Sequence, residues 1–250
     1  MDTAERLGGR ALVIVPTYNE RATIPEVVRR LFAAVDRDVD LLVVDDGSPD
    51  GTAEVVRDIA AGDDRIHLLE RTSKQGLGAA YLAGFEWAIE RGYVAVVEMD
   101  ADLSHDPAVV PTLLEGLGKA DLVIGSRYVP GGRIENWGAL RRLLSRLGNL
   151  YAALWLGFGV GDSTSGFRAF RTGALQVQEL ATVASQGYAF QIEMARRVYQ
   201  DGGRILEVPI TFTERASGTS KMSKRIVVEA LAHVTMWGVR DRWNQLRKRR

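Results

Sequence analysis

The stretch VAVVEMDADLSHD, residues 94–106, decides the fold. It begins as an apolar run of strand length and passes directly into Asp100-Ala101-Asp102. Alternate side chains of a strand share a face, so the two aspartates point the same way at its carboxyl edge. Mg²⁺ and Mn²⁺ prefer carboxylate oxygens, and a pair that also meets substrate phosphates can hold them. The pattern predicts a divalent-metal site; the alternative is that Asp102 caps a helix begun near Pro107 and Asp100 is a solvated strand end.

Length and composition indicate a single α/β domain over residues 1–250. The chain is 46% hydrophobic, with 32 basic and 32 acidic residues and no cysteine. The balanced charge predicts no nucleic-acid partner, although the last nine residues, RWNQLRKRR, are locally basic. The lack of cysteine excludes disulfides and thiolate metal sites, and it fits a reducing compartment, with the cytoplasm as the default. The longest nearly uncharged stretch, residues 147–161, is too short to span a bilayer, so a soluble or peripheral protein is expected.

Two further apolar runs lead into polar loops. Residues 11–15 precede PTYNE, residues 16–20, and residues 41–44 precede DDGSPDGT, residues 45–52. With helices between them, these runs predict parallel strands of a βαβ unit. The carboxylates of the second loop are placed for the ribose or base of a nucleotide; the alternative is ordinary turn chemistry. Other strands are predicted at residues 65–70, 121–125 and 204–213, and helices at residues 24–35, 107–117 and 187–199.

The segment SKQGLGAAY, residues 73–81, resembles the start of a dinucleotide-binding fingerprint. Tyr81 stands where the third glycine would be, which disfavours a Rossmann dehydrogenase. The glycines are better explained by close packing of the following helix, and Lys74 is expected near the nucleotide.

Cationic residues are predicted at the same rim. Arg127 follows the strand at residues 121–125, where it can pair bidentately with a phosphate; the alternative is a surface salt bridge. The small, basic stretch RASGTSKMSK, residues 215–224, has the composition of a lid over phosphates, or of a plain linker. The chain's histidines, His67, His105 and His233, lack metal-like spacing and are interpreted as structural.

An amphipathic helix is predicted over residues 139–158. Leucines, Trp155 and Phe158 recur at helical spacing, and arginines lie mostly on the other side. Such a helix can lie in a membrane interface; packing on the core is the alternative.

These motifs together resemble the dolichol-phosphate (polyprenol-phosphate) mannose synthases, which are inverting family-2 glycosyltransferases with the A-type glycosyltransferase fold. The resemblance runs from Leu12 to about Lys224. The motifs that carry it are PTYNE (16–20), DDGSPDGT (45–52), KQGLGAAY (74–81), DADLSH (100–105), GSRY (125–128), TSGFR (164–168) and GTSK (218–221).

The resemblance implies site residues, a cofactor and partners. The metal, Mg²⁺ or Mn²⁺, would be held by Asp100 and Asp102; some relatives have Gln where this chain has Ser104, which leaves a third protein ligand open. The donor GDP-mannose would meet Pro16, Tyr18, Glu20, Val44, Asp46, Ala101, Arg127, Arg215 and Lys221. The phosphate of the polyprenyl acceptor would meet Arg127, Arg141 and Ser145. The catalytic residues would be Asp100, Asp102 and Arg127.

The predicted organisation has a nucleotide-binding part at about residues 1–130, an acceptor-binding part with the lid at about 131–225, and a C-terminal helix with a basic tail at about 226–250. The expected location is the cytoplasmic face of a membrane, reached through the membrane surface or a membrane-embedded partner protein. Two other functions stay open. One is polyprenyl-phosphate glucosyl transfer from UDP-glucose, and the other is a catalytically silent nucleotide-binding scaffold.

Overall fold

The computed structural model of the chain describes residues 7–36, 38–214 and 224–248. Within these residues the strands are β1 Ala11–Thr17, β2 Val39–Asp45, β3 Ile66–Glu70, β4 Ala95–Glu98, β5 Leu122–Ser126, β6 Arg133–Glu135, β7 Arg168–Arg171, β8 Ile205–Pro209 and β9 Thr211–Thr213. The α-helices are α1 Ile24–Ala34, α2 Thr52–Ala60, α3 Leu77–Glu90, α4 Val110–Gly116, α5 Ala139–Leu156, α6 Thr172–Gln176, α7 Gly187–Gln200 and α8 Lys224–Lys248. Short 3₁₀ turns lie at Pro107–Val109 and Leu180–Thr182.

A seven-stranded sheet carries the fold, in the order β3-β2-β1-β4-β7-β5-β8. Strands β3, β2, β1 and β4 pair in parallel, as do β5 and β8, whereas β7 pairs antiparallel with both of its neighbours. The predicted mostly parallel α/β architecture is confirmed. Because the parallel strands β1, β2, β4 and β5 end at one edge, the loops that follow them meet there. Strands β6 and β9 pair in parallel and form a second, two-stranded sheet.

Both faces of the sheet are covered by helices. Alternate residues of β1, such as Ile14 and Val15, enter different cores, as the pleat of a strand requires. One core joins the sheet to α3, α5, α6, α7 and α8, and the other joins it to α1, α2 and α4. Near-continuous apolar strands such as β2 are therefore buried on both sides, which explains why their sequences do not alternate.

Strand β7 was not predicted from the sequence, although the TSGFR motif, residues 164–168, leads directly into it. The structure places Arg168 fully buried at the first position of β7, directly opposite Glu98 of β4. Likewise, the single strand predicted at residues 204–213 is divided into β8 and β9, which belong to different sheets. The predicted helix at residues 107–117 begins as a 3₁₀ turn, capped by Asp106, before α4.

The glycines of the residue 73–81 segment have a packing role, but the neighbour differs from the expected sheet. A Cβ atom at Gly78 would lie 2.9 Å from the ring of Phe190 and 3.0 Å from the carbonyl oxygen of Ser185. Gly78 thus allows α3 to approach α7 and the loop before it. On the same helix, a Cβ at Gly84 would lie 2.7 Å from Ile14 of β1, so Gly84 is the residue that allows close contact with the sheet.

Helix α5 exposes most of its leucines and buries a different set of residues. Its inward residues are Asn149, Ala152 and Leu156, and its outward apolar residues are Leu140, Leu143, Leu144, Leu147, Leu150 and Leu154, which are 52–70% exposed. The expectation that Trp155 and Phe158 belong to the exposed apolar face is wrong. Phe158 is buried against Tyr199, and Trp155 packs on Gly238 of α8.

Helix α8 packs against α5 and α7 and also exposes apolar side chains. Its buried residues are Ala230, Val234 and Trp237, and its exposed ones are Val228, Leu231, Met236, Val239 and Trp243. In the part of the chain that the structure describes, neither these helices nor any other combines the length and the apolar character needed to cross a bilayer.

Candidate active site

A cavity of about 430 Å³ opens at the edge where β4 and β5 end. It receives residues from the loops after both strands, from the start of α5, from the loop before β7 and from the first turns of α7. Its lining includes Asp100, Asp102, Ser104, His105, Arg127, Trp137, Arg141, Thr164, Gln191, Phe212, Glu214 and Glu229. The structure therefore brings the predicted acidic pair and two of the predicted arginines into one space.

The loop after β4 fixes the two aspartates. The backbone N–H of Asp100 donates to Nδ1 of His105 over 3.1 Å, and Asp102 Oδ1 accepts from the backbone N–H of Ser104 over 3.0 Å. Directly after Asp102, Leu103 has φ 63°, a left-handed conformation that is strained for a non-glycine residue. His105 is in turn stacked on Phe167 with ring centroids 4.8 Å apart. These contacts hold both carboxylates at the cavity.

The donor atoms at this loop fit a divalent cation that is completed by other ligands. Among the described residues, no group of three or more His, Asp or Glu side chains is arranged as a metal site. Asp100 and Asp102 supply carboxylate oxygens. The Ser104 hydroxyl in the same lining is buried and has no hydrogen-bond partner within the described part of the chain. With Glu214 and Glu229, the described lining contains four carboxylates but only two guanidinium groups, those of Arg127 and Arg141. A divalent cation would offset this excess of negative charge.

Behind the aspartates lies a buried polar network. Glu98 Oε2 accepts from Gln191 Nε2 over 2.7 Å and lies 3.8 Å from Nε of Arg168. Burial raises the pKa of Glu98 to about 7, although the charge of Arg168 and the Gln191 hydrogen bond oppose the rise. Arg168 also donates to the carbonyl oxygens of Ser163, Ser165 and Gln191. The network ties β4, the loop before β7 and α7 together beneath the cavity floor.

Arg127 is held by a carboxylate that sequence reasoning did not single out. Its Nε and Nη2 donate to the two carboxylate oxygens of Asp162 over 2.7 and 2.6 Å, and Nη2 also donates to Thr164 Oγ1. Burial acts to lower the pKa of Arg127, but the charge and hydrogen bonds of Asp162 outweigh it, so the pKa is raised. Glu207 of β8 fixes Asp162 by accepting from its backbone N–H over 2.9 Å. Arg127 therefore reaches the cavity as part of a rigid ion pair.

Arg141 and Ser145, both predicted to receive an acceptor phosphate, are placed differently. Arg141 lines the cavity, forms an ion pair with Glu214 and stacks over the ring of Trp137 at 4.0 Å. Ser145 is not part of the cavity lining, and its hydroxyl accepts from the Tyr128 hydroxyl over 2.7 Å. Only the arginine of this predicted pair is presented to the cavity in this conformation.

The residues predicted to bind the nucleotide form a separate group at the ends of β1 and β2. Tyr18 lies under the Lys74 ammonium, 3.8 Å from the ring centroid, and Asp46 accepts from Arg71 Nη1 over 2.7 Å. Burial raises the pKa of Asp46 although Arg71 opposes it. The group also contains Pro16 and Glu20, which are half-buried, and Val44, which is buried in the core. Ala101, which is also buried, lies instead in the loop after β4, between Asp100 and Asp102.

Glu20 is anchored to the second loop rather than to the cavity. Its backbone N–H donates to Thr52 Oγ1 over 3.1 Å, and the preceding residue, Asn19, is left-handed with φ 62°. Val44 is fully buried, so a nucleotide would touch it only after neighbouring groups move. The lid cations Arg215 and Lys221 lie outside the described residues.

Several cavity residues were missed by sequence reasoning. Gln191 and Phe212 lie in a predicted helix and a predicted strand but were not singled out as site residues. Trp137 lies in a loop without a recognisable pattern, and His105 was interpreted only as structural. The signal for His105 was its place five residues after Asp100, at the end of the same loop. Sequence alone gave no such signal for Trp137, which is isolated between Asn136 and Gly138.

Comparisons with known proteins identify the family of the chain. Residues 12–177 match the family model described as "Glycosyl transferase family 2". An undecaprenyl-phosphate mannosyltransferase of Micrococcus luteus is 51% identical over 240 residues, covering 96% of this chain and 98% of the relative. A polyprenol monophosphomannose synthase of Mycolicibacterium smegmatis is 50% identical over 240 residues, covering 95% and 90%.

A solved structure shows the same fold. Glucosyl-3-phosphoglycerate synthase of Mycobacterium tuberculosis, crystallised with Mn²⁺, UDP-glucose and phosphoglyceric acid, superposes with a TM-score of 0.71. It is 24% identical, and the match covers 94% of this chain and 82% of that one.

Proposed function

The chain belongs to glycosyl transferase family 2, and from that premise we propose that it transfers mannose from GDP-mannose to a polyprenyl monophosphate with inversion at the anomeric carbon. The products are polyprenyl-phosphate mannose and GDP. The observation that carries the proposal is the cavity that places Asp100 and Asp102 in one lining with Arg127 and Arg141. The near-full-length identity to two polyprenyl-phosphate mannose enzymes supports the sugar and the acceptor.

The chemistry suits a cavity of charged groups without a Ser-His or Cys-His pair. A phosphate monoester is already ionised near neutral pH, so its oxygen can attack the anomeric carbon without a protein base. One bond forms between that oxygen and the sugar, and the bond between the sugar and the β-phosphate of GDP breaks. The protein has to hold two anions close together and stabilise the departing diphosphate.

Each group of residues has a proposed binding role that follows from its position. Asp100 and Asp102, with Ser104 beside them, would hold Mg²⁺ or Mn²⁺, which neutralises charge on the diphosphate when it is bound. Tyr18, Glu20 and Asp46 would bind the nucleoside at the ends of β1 and β2, and Arg127 and Arg141 would face the phosphates. Arg215 and Lys221 remain part of the proposal as the cations of a lid.

The direct test is transfer of labelled mannose from GDP-mannose to a short-chain prenyl phosphate. The product is expected to be a mannosyl phosphate of inverted configuration, identified by nuclear magnetic resonance. A prenol of the same chain length serves as the control acceptor and should receive no sugar. Transfer to the prenol at a comparable rate would contradict the role of the phosphate as nucleophile.

An acceptor with a long hydrocarbon chain requires that the active site come to a bilayer. We expect α5 and α8 to provide the docking surface, because they pack together and expose the leucines of α5 with Val239 and Trp243 of α8. The exposed arginines of these helices, Arg142, Arg146, Arg240 and Arg242, favour anionic lipids of the cytoplasmic leaflet by roughly 1 kcal/mol for each cation near the surface. The association should weaken at high salt.

Docking is measured by co-sedimentation with vesicles that contain anionic lipid. Leu147→Ser with Leu154→Ser should lower the affinity for vesicles at least about tenfold, because burial of a leucine contributes about 1.5–3 kcal/mol. Val177→Ser is the matched control, since Val177 and Leu154 are both 67% exposed but Val177 lies outside α5 and α8. If the leucine variant sedimented like the control, recruitment would have to come from a membrane-embedded partner protein.

A further inference from the structure

Trp137 carries a buried hydrogen-bond donor that faces a ligand site. The side chain is 7% exposed and lines the cavity, and its Nε1 is buried with no hydrogen-bond partner among the described residues. A buried indole N–H normally has a partner, and leaving a donor unsatisfied costs about 1–3 kcal/mol. The residue before it, Asn136, is left-handed with φ 63°, so the backbone is strained where it presents the ring.

The surroundings of the indole select an anion. An indole N–H can only donate, so its partner must be an acceptor. The guanidinium carbons of Arg141 and Arg127 lie 4.0 and 5.4 Å from the ring centroid. The Nε atom of Arg141 is a second buried donor without a partner in the described chain, and it lines the same cavity. The Glu214 carboxylate on Arg141 shows that an oxyanion is accommodated in this corner.

The position favours the acceptor over the donor. Trp137 lies two residues before α5, whose N-terminus starts at Gly138 without a side-chain cap, so its first N–H groups also favour a negative charge. The same helix presents the exposed leucines. A phosphate at the start of α5 would let an attached hydrocarbon chain leave along that apolar face. The donor diphosphate belongs instead beside Asp100 and Asp102, at the end of β4.

We propose that Trp137 is a binding residue for the acceptor, and that its Nε1–H donates a hydrogen bond to a non-bridging oxygen of the prenyl monophosphate. The inference rests on the proposed function, because it takes the acceptor class from there. It assigns to Trp137 the phosphate contact for which Ser145 is unsuitably placed in this conformation.

The test deletes the N–H and keeps the ring. Trp137→Phe retains an aromatic face for both arginines, and replacement of Trp137 by benzothienylalanine retains the full shape with sulfur in place of N–H. The affinity for a C15 prenyl monophosphate, measured by calorimetry, is expected to fall about tenfold in both variants. A loss of this size corresponds to the removal of one hydrogen bond to a charged group. Binding of the matching prenol and of GDP-mannose should be unchanged.

Trp155→Phe is the control, because Trp155 lies in α5 but packs on Gly238 of α8. Unchanged affinity of the benzothienylalanine protein for the prenyl monophosphate would overturn the proposal, as would a loss confined to GDP-mannose. These outcomes are separate from failure of the proposed function, which would appear as absence of mannose transfer by the unaltered protein. If Trp137→Phe does not fold, the isosteric replacement alone decides.

Discussion

Exchange of both Asp100 and Asp102 for asparagine should reduce mannose transfer about a thousandfold or more and leave the fold intact. Both carboxylates line the cavity at the end of β4, and neither belongs to the apolar core. Asparagine retains the side-chain oxygen that accepts from the Ser104 N–H. What the double variant loses is negative charge toward a divalent cation, whose stabilisation of a departing diphosphate is worth several kcal/mol.

Asp106→Asn is the matched control for this variant. Asp106 lies in the same loop but is exposed, and it accepts from the Ala108 N–H over 3.0 Å as the cap of the 3₁₀ turn. Its replacement should leave turnover close to that of the unaltered protein. Initial rates with added Mg²⁺ or Mn²⁺, and again after chelation, measure the effect, with thermal unfolding as the fold readout. A double variant that kept the normal rate in chelator would refute the metal assignment.

The second large effect is expected at the Arg127–Asp162 ion pair. Arg127→Met leaves the fully buried Asp162 carboxylate without its cation, which should lower the free energy of unfolding by about 3–5 kcal/mol. Transfer should be lost as well, because the guanidinium lines the cavity in which the phosphates are proposed to bind. The stability loss alone would not reveal a role in binding, so a second variant is needed.

The combination of Arg127→Met with Asp162→Asn separates the two roles. Asparagine removes the orphaned charge and retains an oxygen that can accept from the Arg127 backbone N–H, a bond of 2.9 Å in the structure. The double variant should regain most of the lost unfolding free energy while transfer stays absent. Urea unfolding and initial rates are the two measurements. Recovery of normal turnover together with stability would show that Arg127 has only a structural role.

The strands and the polar loops that follow them could be predicted from the sequence, because both depend on local patterns. Strands β1, β2, β4 and β5 are continuous apolar runs that end in polar loops, and parallel strands bring those loops to one edge. Asp100, Asp102 and Arg127 were therefore predictable as neighbours at the rim. The same logic placed Tyr18 and Asp46 at adjacent strand ends, though outside the cavity lining.

Long-range pairing could not be read from local pattern. Strand β7 begins with a charged residue. Arg168 is tolerated there because β4 places Glu98 opposite it and because backbone carbonyl oxygens accept from its guanidinium. The Asp162 partner of Arg127 is 35 residues away in the chain and depends on the same unpredicted strand arrangement.

Helix α5 shows a different limit. Its apolar residues occur on more than one side, so periodicity identified the helix without showing which side meets the core. Ala152 and Leu156 are buried, whereas the leucines that seemed equally suited to the core are exposed. Trp155 and Phe158 were assigned to the wrong surface for that reason.

The most direct test of the central claim is a donor competition in one vessel. The unaltered protein is given equal concentrations of GDP-mannose, GDP-glucose and UDP-glucose with a C15 prenyl monophosphate and Mg²⁺, and the lipid product is analysed by mass spectrometry after separation of the hexoses. Nearly all of the transferred sugar should be mannose, and GDP should be the nucleotide released. Predominant transfer of glucose from UDP-glucose, or no transfer from any donor, would contradict it.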